Sequence, residues 1–137
     1  MELERDKTET PVRDSPRGER HALVVGVTGI QGNVLASQLV ENGWEVTGLA
    51  RRSDIDIPGV SPVSVELTDA NAVNDALEEV HPTHVFFNAW SRQPTESENC
   101  VVNGAMLRNL LRAVEPSPRL RHVSLVTGLK HYLGPFE

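Results

Sequence analysis

Residues 22–32 read ALVVGVTGIQG, and the reading of the whole chain follows from them. ALVVGV (22–27) is a short apolar run closed by glycine, the pattern of a buried strand. Gly26, Gly29 and Gly32 then recur at three-residue intervals, after the strand and at the start of a helical pattern. In that setting each glycine has a physical reason. Gly26 permits the tight turn, Gly29 lets backbone amides approach a pyrophosphate, and Gly32 lets the helix pack close to the strand. The unpaired N–H groups and positive dipole end of the helix favour phosphate at the same place.

Beyond the glycines, a helix over 32–42 carries Val34, Leu35, Leu39 and Val40 at helical spacing and stops before Gly43. WEVTGLA (44–50) and PVSVEL (62–67) read as the second and third strands, parted by a loop with Pro58 and Gly59. Thr68 and Asp69 are N-cap candidates for a helix whose buried stripe is Val73, Leu77 and Val80. THVFFNA (83–89) is the fourth strand, with Pro82 preventing the helix from continuing into it. A helix from about 98 to 114 sets Val102, Met106, Leu110 and Val114 on one face, and RHVSLVT (121–127) is the fifth strand. Strands alternating with helices predict a parallel sheet with right-handed crossovers. The fold expected is α/β, a Rossmann-type sheet of order 3-2-1-4-5 that is cut short after strand five. Before it, residues 1–20 mix acids and bases, with Leu3 and Val12 as the sizeable apolar side chains. Such a segment cannot offset its ordering entropy, so it reads as a disordered tail ahead of a domain over 21–137.

The totals narrow the class. At 137 residues the chain is at most one domain, and 4% aromatic content leaves Val, Leu, Ile and Ala to build the core. A net charge of -6 argues against a nucleic-acid partner, which needs a basic face. Without an apolar run long enough for a bilayer or a signal peptide, no membrane partner is expected, and the location reads as cytoplasmic. One cysteine, Cys100, rules out an internal disulfide; a lone cysteine is more often a buried apolar residue than a reactive one. His81 and His84 are separated by Pro82, no partner ligands cluster near them, and no metal site is expected. Trp90, Phe86 and Phe87 read as packing residues.

About 20 residues past the glycines, nicotinamide-binding folds place either an acid for the ribose hydroxyl or a cation for a 2′-phosphate. Here that place holds Arg51 and Arg52. Two guanidinium forks suit a phosphate, so the expected cofactor is NADP(H). Asp54 and Asp56 lie past the strand end and are discounted as the ribose acid. Glu66 and Leu67, at the end of strand three, stand at the adenine position, where Leu67 offers an apolar wall.

The chain closes on TGLKHYLGPFE (127–137). Lys130 and Tyr132 stand two apart, in the reverse order of the Tyr-x-x-x-Lys of ordinary short-chain reductases. Together, GVTGIQG, LARR, THVFFNAWSRQPTESENC, NGAMLRNLL and LRHVSLVTGLKHYLGPFE resemble the progesterone 5β-reductase and iridoid synthase-like family of atypical short-chain dehydrogenase/reductases. The resemblance runs from about residue 22 to the last residue. It implies NADPH-dependent reduction of a carbon–carbon double bond conjugated to a carbonyl, on a small-molecule enone or carbonyl substrate. It assigns the catalytic lysine to Lys130 and puts the catalytic tyrosine downstream, so that it is not Tyr132. It adds Thr28 and Ile30 to Gly29, Arg51 and Arg52 as cofactor contacts. Glu66 replaces an aspartate of the plant members, Ala89 a threonine and Val126 a glutamine. Three readings stay open: an enone reductase, a module that holds NADP without turnover, and an inactive fragment. His131 is open between a role near the cofactor and a surface place. Fold-level analogy makes the helix near 98–114 the candidate surface for a homodimer.

Overall fold

The computed structural model describes residues 19–52 and 54–127. Among these residues five strands and three helices follow in the order β1 (His21–Val25), α1 (Ile30–Glu41), β2 (Glu45–Ala50), β3 (Val60–Ser64), α2 (Ala70–Leu77), β4 (His84–Phe87), α3 (Glu96–Val114) and β5 (His122–Leu125). The strands make one sheet in the order β3-β2-β1-β4-β5, every pair parallel. This is the architecture expected from the sequence. The tail residues 1–18, together with Lys130, His131 and Tyr132, lie outside the described residues.

The core follows from β1, all five residues of which are buried. Leu23 and Val25 point to a cluster with Leu49, Val85, Phe87, Val73 and Leu77, and with Met106, Leu110 and Val114 of α3. Val24 faces the other way, to Val46, Ala50, Ile57 and Ala36 of α1. Alternate side chains of one strand thus feed two helical layers, which is why the strand is apolar throughout rather than alternating. Phe86 and Phe87 are packing residues, as expected.

Several boundaries and burials differ from the sequence reading, each for a local reason. β1 ends at Val25 because Gly26 turns the chain at φ 82°. β3 begins at Val60, not Pro62: Gly59 turns at φ 80°, the Val60 N–H donates to the Ile57 carbonyl at 3.1 Å, and Val60 pairs with Val46. Proline is tolerated inside this strand because β3 is a sheet edge. Glu66 and Leu67 therefore follow the strand instead of ending it. α3 starts at Glu96, since Thr95 caps it and Glu98 closes a capping box from the third position of the helix. Val34 is exposed, and Cys100 lies exposed on α3 rather than buried. Among the described residues no helix is long and apolar enough to cross a membrane.

Candidate functional site

The sheet order reverses between β1 and β4, so the loops after these strands diverge and leave a crevice at their carboxyl ends. A cleft of about 510 Å³ opens there. Its floor is Gly26, Thr28 and Gly29; one wall is Ala50, Arg51 and Arg52 after β2, with Glu66, Leu67 and Thr68 after β3. The other wall is Asn88, Ala89, Trp90, Ser91 and Gln93 after β4, and Val102 and Met106 of α3 close it from behind. The volume falls in the usual range for a bound small molecule, roughly 300–1,000 Å³.

The glycine turn is fixed by close backbone contacts. The Gly26 N–H donates to the Leu49 carbonyl at 2.8 Å, and the Gly29 N–H donates to the Gly26 carbonyl at 3.2 Å. A Cβ on Gly26 would come within 2.8 Å of the Ala89 backbone nitrogen, and one on Gly32 would collide with the Gly26 carbonyl oxygen. At Gly29 the nearest atom is the Gly26 oxygen at 3.4 Å, so that side is open to a ligand. The three helices differ at their starts. Asp69 caps α2 through the Ala72 N–H and Thr95 caps α3, whereas no side chain caps α1 at Gly29. The helix whose N-cap, Gly29, lines the cleft is the one that starts without a side-chain acceptor for its first-turn donors. A pyrophosphate is an acceptor of the right kind for that place. The residues present fit a dinucleotide.

At the far wall the two arginines differ. Arg52 donates to both carboxylate oxygens of Asp54, Nε to Oδ1 at 3.0 Å and Nη2 to Oδ2 at 2.8 Å. Hydrogen bonding from Arg52 holds the Asp54 carboxyl below the usual carboxylate range. Arg51 Nε stands 3.8 Å from Glu66 Oε2, an ion pair longer than a hydrogen bond, and the Thr68 hydroxyl donates to the other Glu66 oxygen at 3.1 Å.

Of the residues singled out in the sequence, the cleft brings together Gly26, Thr28, Gly29, Arg51, Arg52, Glu66 and Leu67. Gly32 is buried within the first turn of α1, and Ile30 is 88% exposed and not among the lining residues. Trp90 is no packing residue: it is 66% exposed on the cleft rim. Val126 is exposed beyond β5, its N–H donating to the Phe87 carbonyl at 3.0 Å.

The sequence reading missed three asparagines of α3. Asn103 accepts from the Ser91 N–H at 2.8 Å and donates to the Ser91 carbonyl at 2.8 Å. Asn99 accepts from the Gln93 N–H at 2.7 Å. Asn109 donates to the Leu67 carbonyl at 2.8 Å. One helix thereby holds both rims of the cleft. No local signal could have found these contacts, because they join residues from 6 to 42 positions apart.

Comparison with known proteins agrees with this geometry. Residues 22–129 match the model of the NAD dependent epimerase/dehydratase family. Over 128 aligned positions the chain is 44% identical to 3-oxo-Delta(4,5)-steroid 5-beta-reductase of Arabidopsis thaliana, covering 86% of this chain and 33% of that protein. It is 43% identical to (S)-8-oxocitronellyl enol synthase of Nepeta cataria, covering 90% of this chain and 35% of that protein. The chain thus spans about a third of the length of these relatives. The resemblance drawn from the glycine turn and the terminal motifs is borne out. Among solved structures, the enzyme WbmG of Bordetella bronchiseptica in complex with NAD superposes with a TM-score of 0.67 at 22% identity, covering 81% of this chain and 38% of that one. At that identity the likeness is one of fold. The chain belongs to the NAD dependent epimerase/dehydratase family.

Proposed function

We propose that this chain is the nucleotide-binding part of an NADP(H)-dependent oxidoreductase of the short-chain type, which reduces a carbon–carbon double bond conjugated to a carbonyl. The observation that carries the reading is the convergence of the glycine turn, the uncapped start of α1 and the arginine pair on one cleft. The steroid in the name of the Arabidopsis relative, a 3-oxo compound with a Δ4,5 double bond, is an enone, which supports the bond to be reduced.

In this reading each residue has a distinct task. Gly26, Thr28, Gly29 and the first-turn amides of α1, from Ile30, hold the pyrophosphate, while Gly32 lets that turn lie close to β1. Arg51 and Arg52 take the 2′-phosphate, and Leu67 with Glu66 flanks the adenine. Trp90, Val102 and Met106 exclude water from the far side. A reduced nicotinamide, when bound, supplies hydride to the β-carbon of the substrate. Lys130, outside the described residues, stabilises the carbonyl oxygen as enolate charge develops. Ala89 lines the cleft where the resemblance puts a threonine, and it carries no hydroxyl to offer a ligand.

The test is to titrate the chain with NADPH and with NADH, following nicotinamide fluorescence, beside an Arg51→Ala/Arg52→Ala variant. NADPH is expected to bind more tightly, and the variant to lose about tenfold or more of that affinity, the worth of one or two charged hydrogen bonds. Equal affinity for both nucleotides, unmoved by the variant, would sink the assignment of NADP. A second reading is an NADP-holding module without turnover. Tight NADPH binding is expected on both readings, and enone consumption by a protein of the relatives' full length separates them.

A further inference from the structure

We infer that Asp54 sets the nucleotide preference of the cleft by competing for Arg52 with the 2′-phosphate. The inference rests on the cofactor reading above and concerns a residue that reading does not use. Arg52 lines the cleft, yet one full edge of its guanidinium, Nε and Nη2, is engaged by both Asp54 oxygens at 3.0 and 2.8 Å. That edge presents the paired donors with which arginine recognises phosphate in a planar, two-bond geometry. Arg51 has no comparable chelate, since its carboxylate neighbour stands 3.8 Å away and is hydrogen-bonded to Thr68.

The two arginines are therefore unequal. Arg51 is available to an incoming phosphate. To offer that edge Arg52 has to exchange one anion for another, and the displaced carboxylate stays close by. Both partners are well exposed, Arg52 at 71% and Asp54 at 63%, so the pair is weak enough to be broken by a ligand of higher charge. A ribose 2′-hydroxyl carries no charge and gains nothing from that exchange. Asp54 thus weakens binding of the phosphorylated nucleotide and leaves the other nearly untouched, which narrows the gap between NADPH and NADH. Asp54→Asn keeps the shape of the side chain and removes the competing charge.

The experiment measures the dissociation constants of NADPH and NADH for wild type, Asp54→Asn, Arg52→Ala and the double variant. Asp54→Asn is expected to tighten NADPH about two- to tenfold, the range of an exposed ion pair plus relief of like-charge repulsion, with NADH unchanged. In the Arg52→Ala background the same substitution should act less, because only direct repulsion is left to remove. An unchanged NADPH-to-NADH ratio in Asp54→Asn overturns the inference and spares the cofactor reading. Weaker NADPH binding in that variant also overturns it, and makes Asp54 a residue that positions Arg52. Failure of every variant and of wild type to bind either nucleotide overturns the cofactor reading itself, and the inference with it.

Discussion

A methyl group at Gly26 would meet the Ala89 backbone in a conformation, φ 82°, that L side chains rarely adopt. The cost is both steric and conformational, so Gly26→Ala is expected to lose about 1–3 kcal/mol of stability, seen as a lowered denaturant midpoint. A midpoint equal to wild type would mean the turn relaxes freely. At Gly32 the obstacle is the Gly26 carbonyl, and Gly32→Ala must push the first turn of α1 away from the cleft. Asn103 tests the rim. Removing its amide leaves the Ser91 N–H without its acceptor and the Ser91 carbonyl without that donor. Asn103→Ala should cost about 1–3 kcal/mol and speed hydrogen exchange at the Ser91 amide. Unaltered exchange there would show that the loop holds itself. These residues divide by how they could be read. The glycines declare themselves by spacing next to a strand, whereas Asn103 is one asparagine among several until the loop is folded onto it. Asp54 lies between: its distance from Arg52 is visible in the sequence, but the chelate is a matter of geometry.

Among the elements, the amino ends of β1, β4 and β5 gather histidines at the end of the sheet opposite the cleft. His21 is buried with Nε2 2.7 Å from the Thr47 hydroxyl, and its N–H donates to the Thr83 hydroxyl at 3.0 Å. Burial pulls its pKa below the ordinary 6.5, with Glu45 opposing and Arg119 adding to the shift. Burial does the same to His84, helped by His122 and Arg121. His84 also meets the Trp44 ring edge-on at 4.8 Å. In both cases the unfolded chain binds protons more readily than the folded one. The stability these groups contribute is therefore full above pH 6.5 and declines as pH falls from 6.5 through their lowered folded values. Thermal midpoints measured from pH 7.5 to 5.5 should fall in wild type, and more shallowly in His21→Asn. Parallel slopes in the two would remove His21 from the account. The start of α2 reads from its capping residue Asp69, whereas the sequence reading passes over the Thr95 capping box of α3 and begins that helix at about 98. Strand ends were not readable in this way, because a ladder stops where a turn residue or the register with a neighbour stops it, as at Gly26 and Val60.

For the whole molecule, the exposed flank is β5, which among the described residues pairs with β4 alone. Val123, Leu125 and Val126 are exposed on and beside it. An edge strand with open backbone groups and apolar side chains favours intermolecular pairing. Sedimentation across a concentration series should show association, reduced in Val123→Lys/Leu125→Lys. A monomer at every concentration would mean that this edge is protected in solution.

What the sequence determined by itself was the order of elements, the parallel sheet and the place of the glycine turn. Each depends on local facts: a 3.6- or two-residue period, a capping side chain, or a glycine where a Cβ has no room. The paired arginines at the end of β2 were legible on the same terms, by their count from the glycines. Only the tertiary structure decided which side chains share the cleft. It brought Trp90 to the rim, left Ile30 out of the lining, hung both walls from Asn99, Asn103 and Asn109, and paired Arg52 with Asp54. The reason is physical. Periodicity fixes which face of an element is apolar, but the partners of a polar side chain are set by how distant segments meet, and Asn109 meets Leu67 across 42 residues.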